Sequence, residues 1–388
     1  MSVTVKSASI GPSIVTDGLV LLLDADNSQS YPGEPTTNLI DPSYHASYST
    51  GVYTVNPPSN PDGWYTAHAT QTAANWHIFR LELESIPNGG TYTFQVEMIS
   101  PSGNIEPLIT GSAGVGLMTN VNGNKWTLTW TNNLGTSKNE GIYWYYIPAS
   151  TTTINETWYY RFYQIENKDH ATQFVNGTRL ATDGWKDLVG TNNGDISNMS
   201  YTDNAEMIFN GGLASGDYVS LDSFVIDLNS YTVEFWIKRN VLTTTQDIGN
   251  TNGGLRILNG VNGYMNFLDY TISSGNFYFR AERSINEEYW ATMSTGIVAD
   301  IEWHHVVISS TSGNQTLYFD GKYISTSSPT FTTNNVTINS IGKGYGYTST
   351  YYGSYFDGYI SNFKYYNKPL TSTEAFKNYN TLKNRFEL

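Results

Sequence analysis

The chain contains no cysteine, and only 20 of its 388 residues are lysine or arginine. The first absence removes disulfides, thiolate metal ligands and thiol nucleophiles together, so stability has to come from buried area. The second, set against 34 Asp and Glu and a formal net charge of −14, argues against a surface for phosphate backbones or anionic lipid, because both need clustered cations. No nucleic-acid partner is expected. Apolar runs long enough to cross a bilayer are missing, and the opening Met1 to Ile10 lacks the charged-then-apolar layout of a secretory signal, so neither membrane insertion nor secretion is expected. Helical apolar spacing is almost absent as well.

What is present suits strands and turns. Thirty Tyr and 10 Trp, with Thr and Asn throughout and 35 Gly for turns, predict an all-β chain. The apolar run Leu19 to Leu23, bounded by Gly18 and by Asp24, Asp26 and Asn27, has the length of a fully buried strand and is too short for a buried helix. Leu317-Tyr-Phe followed by Asp320-Gly321 predicts a hairpin, since Asp-Gly takes the positive φ angles of a type I′ turn. One helix is expected, near the C-terminus: Thr371 and Glu374 form a capping box, Leu370 faces Ala375 as a staple, and Phe376, Tyr379 and Leu382 share a face.

Inside residues 36–182, strand signals recur at Trp76 to Leu83, Thr91 to Ile99, Lys125 to Trp130, Gly141 to Ile147 and Thr157 to Ile165, at the spacing of a sandwich. This block separates the run Asp17 to Asn27 from Asp183-Gly-Trp-Lys-Asp-Leu-Val-Gly190, which reads as its continuation. The expected organisation is therefore an N-terminal arm at 1–16, one discontinuous domain at 17–35 plus 183–388, and an inserted domain at 36–182. The arm carries strand-forming Val3, Val5, Ile10, Ile14 and Val15 but no partner face nearby, so it is expected to order on a neighbouring sheet edge.

Several motifs carry a resemblance. Asn38-Leu-Ile, Trp64 after a Gly, Gln164-Ile-Glu and Ala171-Thr-Gln-Phe-Val-Asn-Gly-Thr-Arg179 resemble the carbohydrate-binding-module-like jelly rolls of tailed-phage virion proteins, with Gln173 where the family form usually has Pro. The flanking halves are similar to the concanavalin A-like, laminin-G-type jelly roll of the same kind of protein, through Asp17-Gly-Leu-Val, Trp185-x-Asp-Leu, Ile208-Phe-Asn-Gly, Tyr231-Thr-Val-Glu-Phe-Trp, Trp303-His-His-Val and Phe356-Asp-Gly-Tyr-Ile-Ser-Asn-Phe-Lys364 in that order. The resemblance implies two antiparallel β-sandwich (jelly-roll) domains, one inserted in the other, with a short C-terminal α-helix. It also implies a non-enzymatic structural component of a bacteriophage virion, a fibre, capsid decoration or tail adhesion protein. Such a component would be assembled in the host cytoplasm, released by lysis, homo-oligomeric, bound to other virion proteins and in contact with surface glycans. The alternative is a free glycan-binding or glycan-cleaving protein of the lectin and glucanase class.

Sugar contact needs aromatic rings for pyranose faces and amides or carboxylates for hydroxyls. The candidates are Trp64, Trp76, Tyr143, Trp144 and Tyr145 in the inserted block, and Tyr345, Tyr347, Tyr351, Tyr352 and Tyr355 in the second half. Because Trp144 alternates with Tyr143 and Tyr145, one of those two faces belongs to a core. Catalysis by paired carboxylates is not expected: Glu234 has no partner at i+2 or i+4, and Glu82 and Glu84 share a strand face outside any family motif. His304 and His305, adjacent on a strand, point to opposite faces and cannot chelate one ion, so one is expected in the core and one exposed. Asp24, Asp26 and Asn27 are weak candidate ligands for Ca²⁺, against turn and strand-end hydrogen bonding; otherwise no metal or cofactor is expected.

Overall fold

The computed structural model describes residues 13–40, 45–47, 52–59, 63–71, 77–111, 114–133, 138–146, 154–182, 184–200, 206–211, 215–240, 255–260, 266–273, 276–283, 289–312, 314–328, 335–343, 345–348 and 351–388. The chain divides into two compact units, Met1–Glu34 with Ala181–Leu388 on one hand and Pro35–Leu180 on the other.

The discontinuous unit is a sandwich of two sheets. In one, strands run in the order Leu19–Asp24, Gly358–Tyr366, Ser230–Arg239, His304–Thr311, Asn314–Phe319 and Lys322–Ser327, with Met207–Phe209 also paired to Gly358–Tyr366. The other is built around Tyr218–Asp227, Asn335–Ile341, Leu255–Gly260 and the meander to Tyr289–Val298. Between them lies a core to which Val233, Phe235, Ile237, Val306, Ile308 and Phe363 contribute from the first sheet. Ile226, Phe277, Phe279 and Ile338 meet them from the second. These positions alternate along each strand, as residues on one face of a pleated sheet must.

The edge strand Leu19–Asp24 shows why the split motif belongs together. Its backbone pairs on one side with Gly358–Tyr366. On the other side the Leu22 N–H donates to Asp187 Oδ1 at 3.1 Å and the Leu22 carbonyl accepts from the Leu188 N–H at 2.9 Å. An open edge is thereby closed by the segment after Trp185. Gly190 is required at this approach, since a Cβ there would lie 2.9 Å from the Val20 carbonyl oxygen.

A third layer covers the outer face of the first sheet. Glu234, Trp236, His305 and Lys364, which alternation assigns to the side away from the core, are all buried there. The cover is the helix Ser372–Leu382, the following turn Lys383–Phe386, and residues 14 and 15. The helix starts as its capping box predicts: Thr371 Oγ1 accepts from the Glu374 N–H, and the Glu374 carboxylate accepts from the Thr371 N–H. Its packing face differs from expectation. Ala375, Asn378 and Leu382 are buried, Phe376 is 52% exposed, and Leu370 packs with Val15 and Tyr366 instead of stapling to Ala375. The reason is the polar patch on the sheet, which selects Asn378 for the centre of the contact.

The arm also needs correction. Ile14 and Val15 are buried against this layer, the Val15 N–H donates to Asn378 Oδ1 at 2.7 Å, and the Val15 carbonyl accepts from the Tyr366 hydroxyl at 3.2 Å. Their hydrogen-bond partners are residues more than 350 positions away, and Leu19, Leu22 and Trp236 share the apolar clusters they join. Residues 1–12 lie outside the described residues. The expected Asp320-Gly321 hairpin is present, with φ of 48° and 72° and Phe319 paired to Lys322. Among the described residues no helix is long and apolar enough to cross a membrane.

The inserted unit is a smaller sandwich. Six strands in the order Thr119–Asn122, Lys125–Thr131, Thr91–Ile99, Ile154–Glu166, Tyr65–Gln71 and Val52–Asn56 make one sheet. His45–Ser47, His77–Ile86, Lys138–Tyr146, Ile105–Gly111 and Gly114–Leu117 make the other. Phe94, Val96, Trp144, Trp158, Tyr160 and Ile165 fill its core. The chain enters through Thr36–Thr37 and leaves through Thr178–Arg179, and these two short strands pair antiparallel.

Candidate functional site

In the inserted unit, the strand Ile154–Glu166 carries one extra residue relative to its neighbour: Arg161 pairs with Glu97 and Gln164 with Gln95. This bulge changes which side chains face outward. Strict alternation from Tyr160 would put Phe162 and Gln164 in the core; instead Tyr163 and Ile165 enter it, and Phe162 turns out. Phe162 adopts φ of 50°, the left-handed region that a side chain with a Cβ occupies only when its surroundings hold it there.

Those surroundings form a row across the outer face of the sheet. Lys125 and Arg161 both pair with Glu97 in the strand register. The Arg161 Nε lies 2.7 Å from Glu97 Oε2, and its guanidinium stacks between the Trp64 ring at 4.5 Å and the Phe162 ring at 4.4 Å. Guanidinium planes favour this combined ion pair and ring stack. Phe174 packs against Phe162, with ring centroids 4.9 Å apart.

Phe174 is carried by the loop that follows Glu166, and a buried network fixes this loop over the sheet. The wholly enclosed Glu166 carboxylate accepts from Thr36 Oγ1 at 2.8 Å, from the Thr172 N–H at 2.8 Å and from Thr172 Oγ1 at 2.7 Å. Gln95 Nε2 donates to the Thr172 carbonyl at 2.8 Å, and Gln164 Oε1 accepts from the Val175 N–H at 2.8 Å. A polar group enclosed in this way is tolerated only when its oxygens are hydrogen-bonded, and these bonds tie the loop to the sheet. Between loop and sheet lies a cleft of about 330 Å³, walled by Glu97, Lys125, Phe162, Gln173 and Phe174 over a floor of Gln95.

The structure sorts the aromatic candidates as follows. Trp64 is half-buried at the edge of this row. Trp144 is fully buried, 4.9 Å from Tyr160 and 6.3 Å from Trp158, so it is core and contacts no ligand. Its neighbours Tyr143 and Tyr145 lie on the same strand, but their side chains are outside what the structure describes, as is Trp76 altogether. Tyr345 and Tyr347 lie on one strand of a hairpin, Tyr351, Tyr352 and Tyr355 on the other. Of these five only the Tyr355 side chain is described; it is half-buried beside Tyr218, whose ring holds the Lys343 ammonium at 4.5 Å. Glu82 and Glu84 occupy alternate positions of His77–Ile86.

The remaining candidates turn out structural. Both oxygens of Asp24 are taken by Arg385, at 2.8 and 3.0 Å, and Arg385 Nε lies 3.0 Å from Asp26 Oδ2, so a guanidinium stands where a calcium ion was considered. Asn27 Oδ1 accepts from the Gln29 N–H in a local turn. Among the described residues no cluster of three His, Asp or Glu is arranged to hold a metal. His304 and His305 face opposite ways as expected, yet both are buried, because the third layer covers the outer one. His304 bridges Asp300 and Asp320 at 2.9 Å each. His305 Nε2 lies 3.1 Å from Glu234 Oε1.

The cleft residues Phe162, Phe174, Glu97 and Lys125 were not singled out from sequence as ligand contacts. A signal was available: the closing motif supplies Gln164, Glu166, Thr172 and Phe174, and the bulge is what converts it into a wall.

The family model described as the concanavalin A-like lectin/glucanases superfamily matches residues 210–375. That stretch lies within the discontinuous unit, whose sandwich is concanavalin A-like. No curated protein matches the chain. Solved structures resemble it only in part. A structure of botulinum neurotoxin type C, whose cell entry depends upon interaction with two ganglioside molecules, is 17% identical with a TM-score of 0.35, over 50% of this chain and 48% of that one. A domain of an extracellular arabinanase from Geobacillus stearothermophilus, in complex with arabinotriose, is 17% identical with a TM-score of 0.33, over 49% and 81%. Trypanosoma rangeli sialidase with the inhibitor DANA is 15% identical with a TM-score of 0.36, over 50% and 30%. The chain thus spans less than half the length of the toxin and of the sialidase.

Proposed function

We propose that this protein is a non-enzymatic, glycan-binding structural component of a tailed-phage virion, and that the cleft of the inserted sandwich is its sugar contact. The observation that carries the binding reading is the pair Phe162 and Phe174, fixed on a strained bulge and a pinned loop beside Gln95, Glu97, Lys125 and Gln173. Preformed aromatic walls with a few convergent polar groups suit a saccharide, whose rings are apolar on one face and hydroxylated around the rim. Binding without cleavage fits the carboxylates: among the described residues Glu97 alone lines the cleft, and it is held by Arg161, whereas hydrolysis of a glycosidic bond needs two. Glu234 is enclosed away from solvent.

The virion role rests on the resemblance of the ordered motifs to those of tailed-phage jelly rolls. Many copies on one particle would multiply weak single contacts through effective concentration. A glycan array read with the whole protein and with Phe174→Ala tests the binding: signal lost in the variant supports it, and identical profiles remove the cleft from the reading. Co-purification with particles tests the role. Recovery only in the free fraction, with glycan binding intact, would replace the virion component by a free lectin.

A further inference from the structure

We infer that the saccharide taken by this cleft is acidic, a uronic-acid unit whose carboxylate is met by the Lys125 ammonium while Phe162 and Phe174 contact its apolar ring face. This rests on the reading of the cleft as a sugar site and adds the chemistry that selects among sugars.

The argument is one of charge placement. Residues 35–180 contain six Lys or Arg and ten Asp or Glu. Even so, three of the six cations are tied to the cleft: Lys125 lines it, Arg161 stacks on Phe162 and Arg179 bonds the Gln173 carbonyl, while Lys168, on the loop after Glu166, does not line it. Two of them are committed to the architecture. Arg161 neutralises Glu97 and fills the space between Trp64 and Phe162. Arg179 donates to the Gln173 carbonyl at 3.1 and 3.2 Å and approaches Thr172 Oγ1. Lys125 is different. It lines the cleft and pairs with Glu97 in the strand register, but among the described residues it has no ion-pair partner, because Arg161 holds Glu97 from the other side.

The carboxylate behind the floor does not reverse this balance. Glu166 is wholly enclosed, accepts from Thr36 and Thr172, and does not line the cleft. The unneutralised charge on the cleft wall is therefore a single positive one, in a chain of net charge −14. A neutral sugar would leave the ammonium to water. A carboxylate would gain a charge-assisted hydrogen bond in a half-buried setting, where screening by salt is weaker than on open surface. Gln173, exposed on the cleft wall, is placed to bond hydroxyls of the same ring.

The test uses the full chain and a panel of galacturonate, mannuronate and glucuronate oligomers, each beside its methyl ester, so that the two members of a pair differ in the charge and one methyl group. Calorimetry should show at least one acid bound about tenfold more tightly than its ester, a preference that shrinks with added salt. Lys125→Gln should bring acid and ester to within about twofold, and Lys125→Arg should restore the preference. Phe174→Ala should weaken both members equally. Equal affinity for acid and ester, or a preference that survives Lys125→Gln, would overturn the assignment of charge while leaving the cleft as a sugar site. Binding of neutral glycans only would do the same. If no acid, ester or neutral glycan binds, both this inference and the sugar site fall together.

Discussion

Asn378, at the centre of the C-terminal helix, donates a 2.6 Å hydrogen bond to Glu234 in the middle of the sheet, 144 residues earlier. The same amide donates to the Tyr366 hydroxyl at 2.9 Å, and its oxygen accepts from the Val15 N–H. Glu234 is also met by Lys364, directly opposite in the register, at 2.5 Å. Every side chain of this group is buried. Burial works to raise the Glu234 pKa, but Lys364 and His305 outweigh it and hold it down to about 2. Burial raises the Tyr366 hydroxyl well above the ordinary phenol range.

The first prediction follows from this group. Lys364→Met leaves a buried carboxylate without its cation and should cost about 3–5 kcal/mol in chemical denaturation, whereas Glu234→Leu with Lys364→Met should cost clearly less than the single change. Equal losses would show that the pair is not an electrostatic unit. Because the folded pKa of Glu234 is depressed, its contribution is present above the ordinary glutamate value of about 4.3 and disappears as pH falls toward 2. Acid unfolding of the discontinuous unit should therefore begin below about pH 4.

His304 sets the opposite trend. Desolvation works to lower its pKa, but hydrogen bonds and charge from Asp320 and Asp300 prevail and raise it. A raised folded pKa stabilises fully below the ordinary imidazole value of about 6.5 and is lost as pH rises through the folded value. The melting temperature should fall as pH climbs from about 6.5, and His304→Gln should flatten that slope. An unchanged slope in the variant would assign the effect elsewhere.

Arg385 supplies a third test. Mild EDTA should leave the melting temperature unchanged, while Arg385→Ala should destabilise by about 1.5–3 kcal/mol, since it strips charged hydrogen bonds from Asp24 and Asp26. A drop in EDTA that Ca²⁺ reverses would show a cation elsewhere, because a ligand specific for the native state stabilises by mass action.

The inserted unit should fold alone. Its entry and exit strands, Thr36–Thr37 and Thr178–Arg179, pair with each other, so its ends are adjacent, and it has its own core. Residues 35–180 expressed separately should melt cooperatively, and joining Glu34 to Ala181 should leave a folded remainder. Molten material from either piece would count against two independent units.

Local chemistry made some features readable in advance. Asp320-Gly321 admits the positive φ of a two-residue hairpin, and Thr371 with Glu374 satisfies the first N–H groups of a helix. Alternation along Val233, Phe235 and Ile237 identifies a core face. Each of these is a property of a few neighbouring residues and of periods set by the backbone.

What the residue order alone determined is thus the β class, the turns, the capped helix and the separation of two halves of one motif by an intervening block. Tertiary structure decided which faces are covered and which groups meet. Glu234, Trp236 and His305 read as an outer face until a helix from the far end of the chain buries them. Arg385 reaches Asp24 across 361 positions. A single extra residue at Phe162 exchanges inside for outside beyond it, because the strand period is two and a bulge shifts the phase by one. The cleft exists only through such long-range pairings, and neither spacing nor composition encodes which distant residues will share a wall.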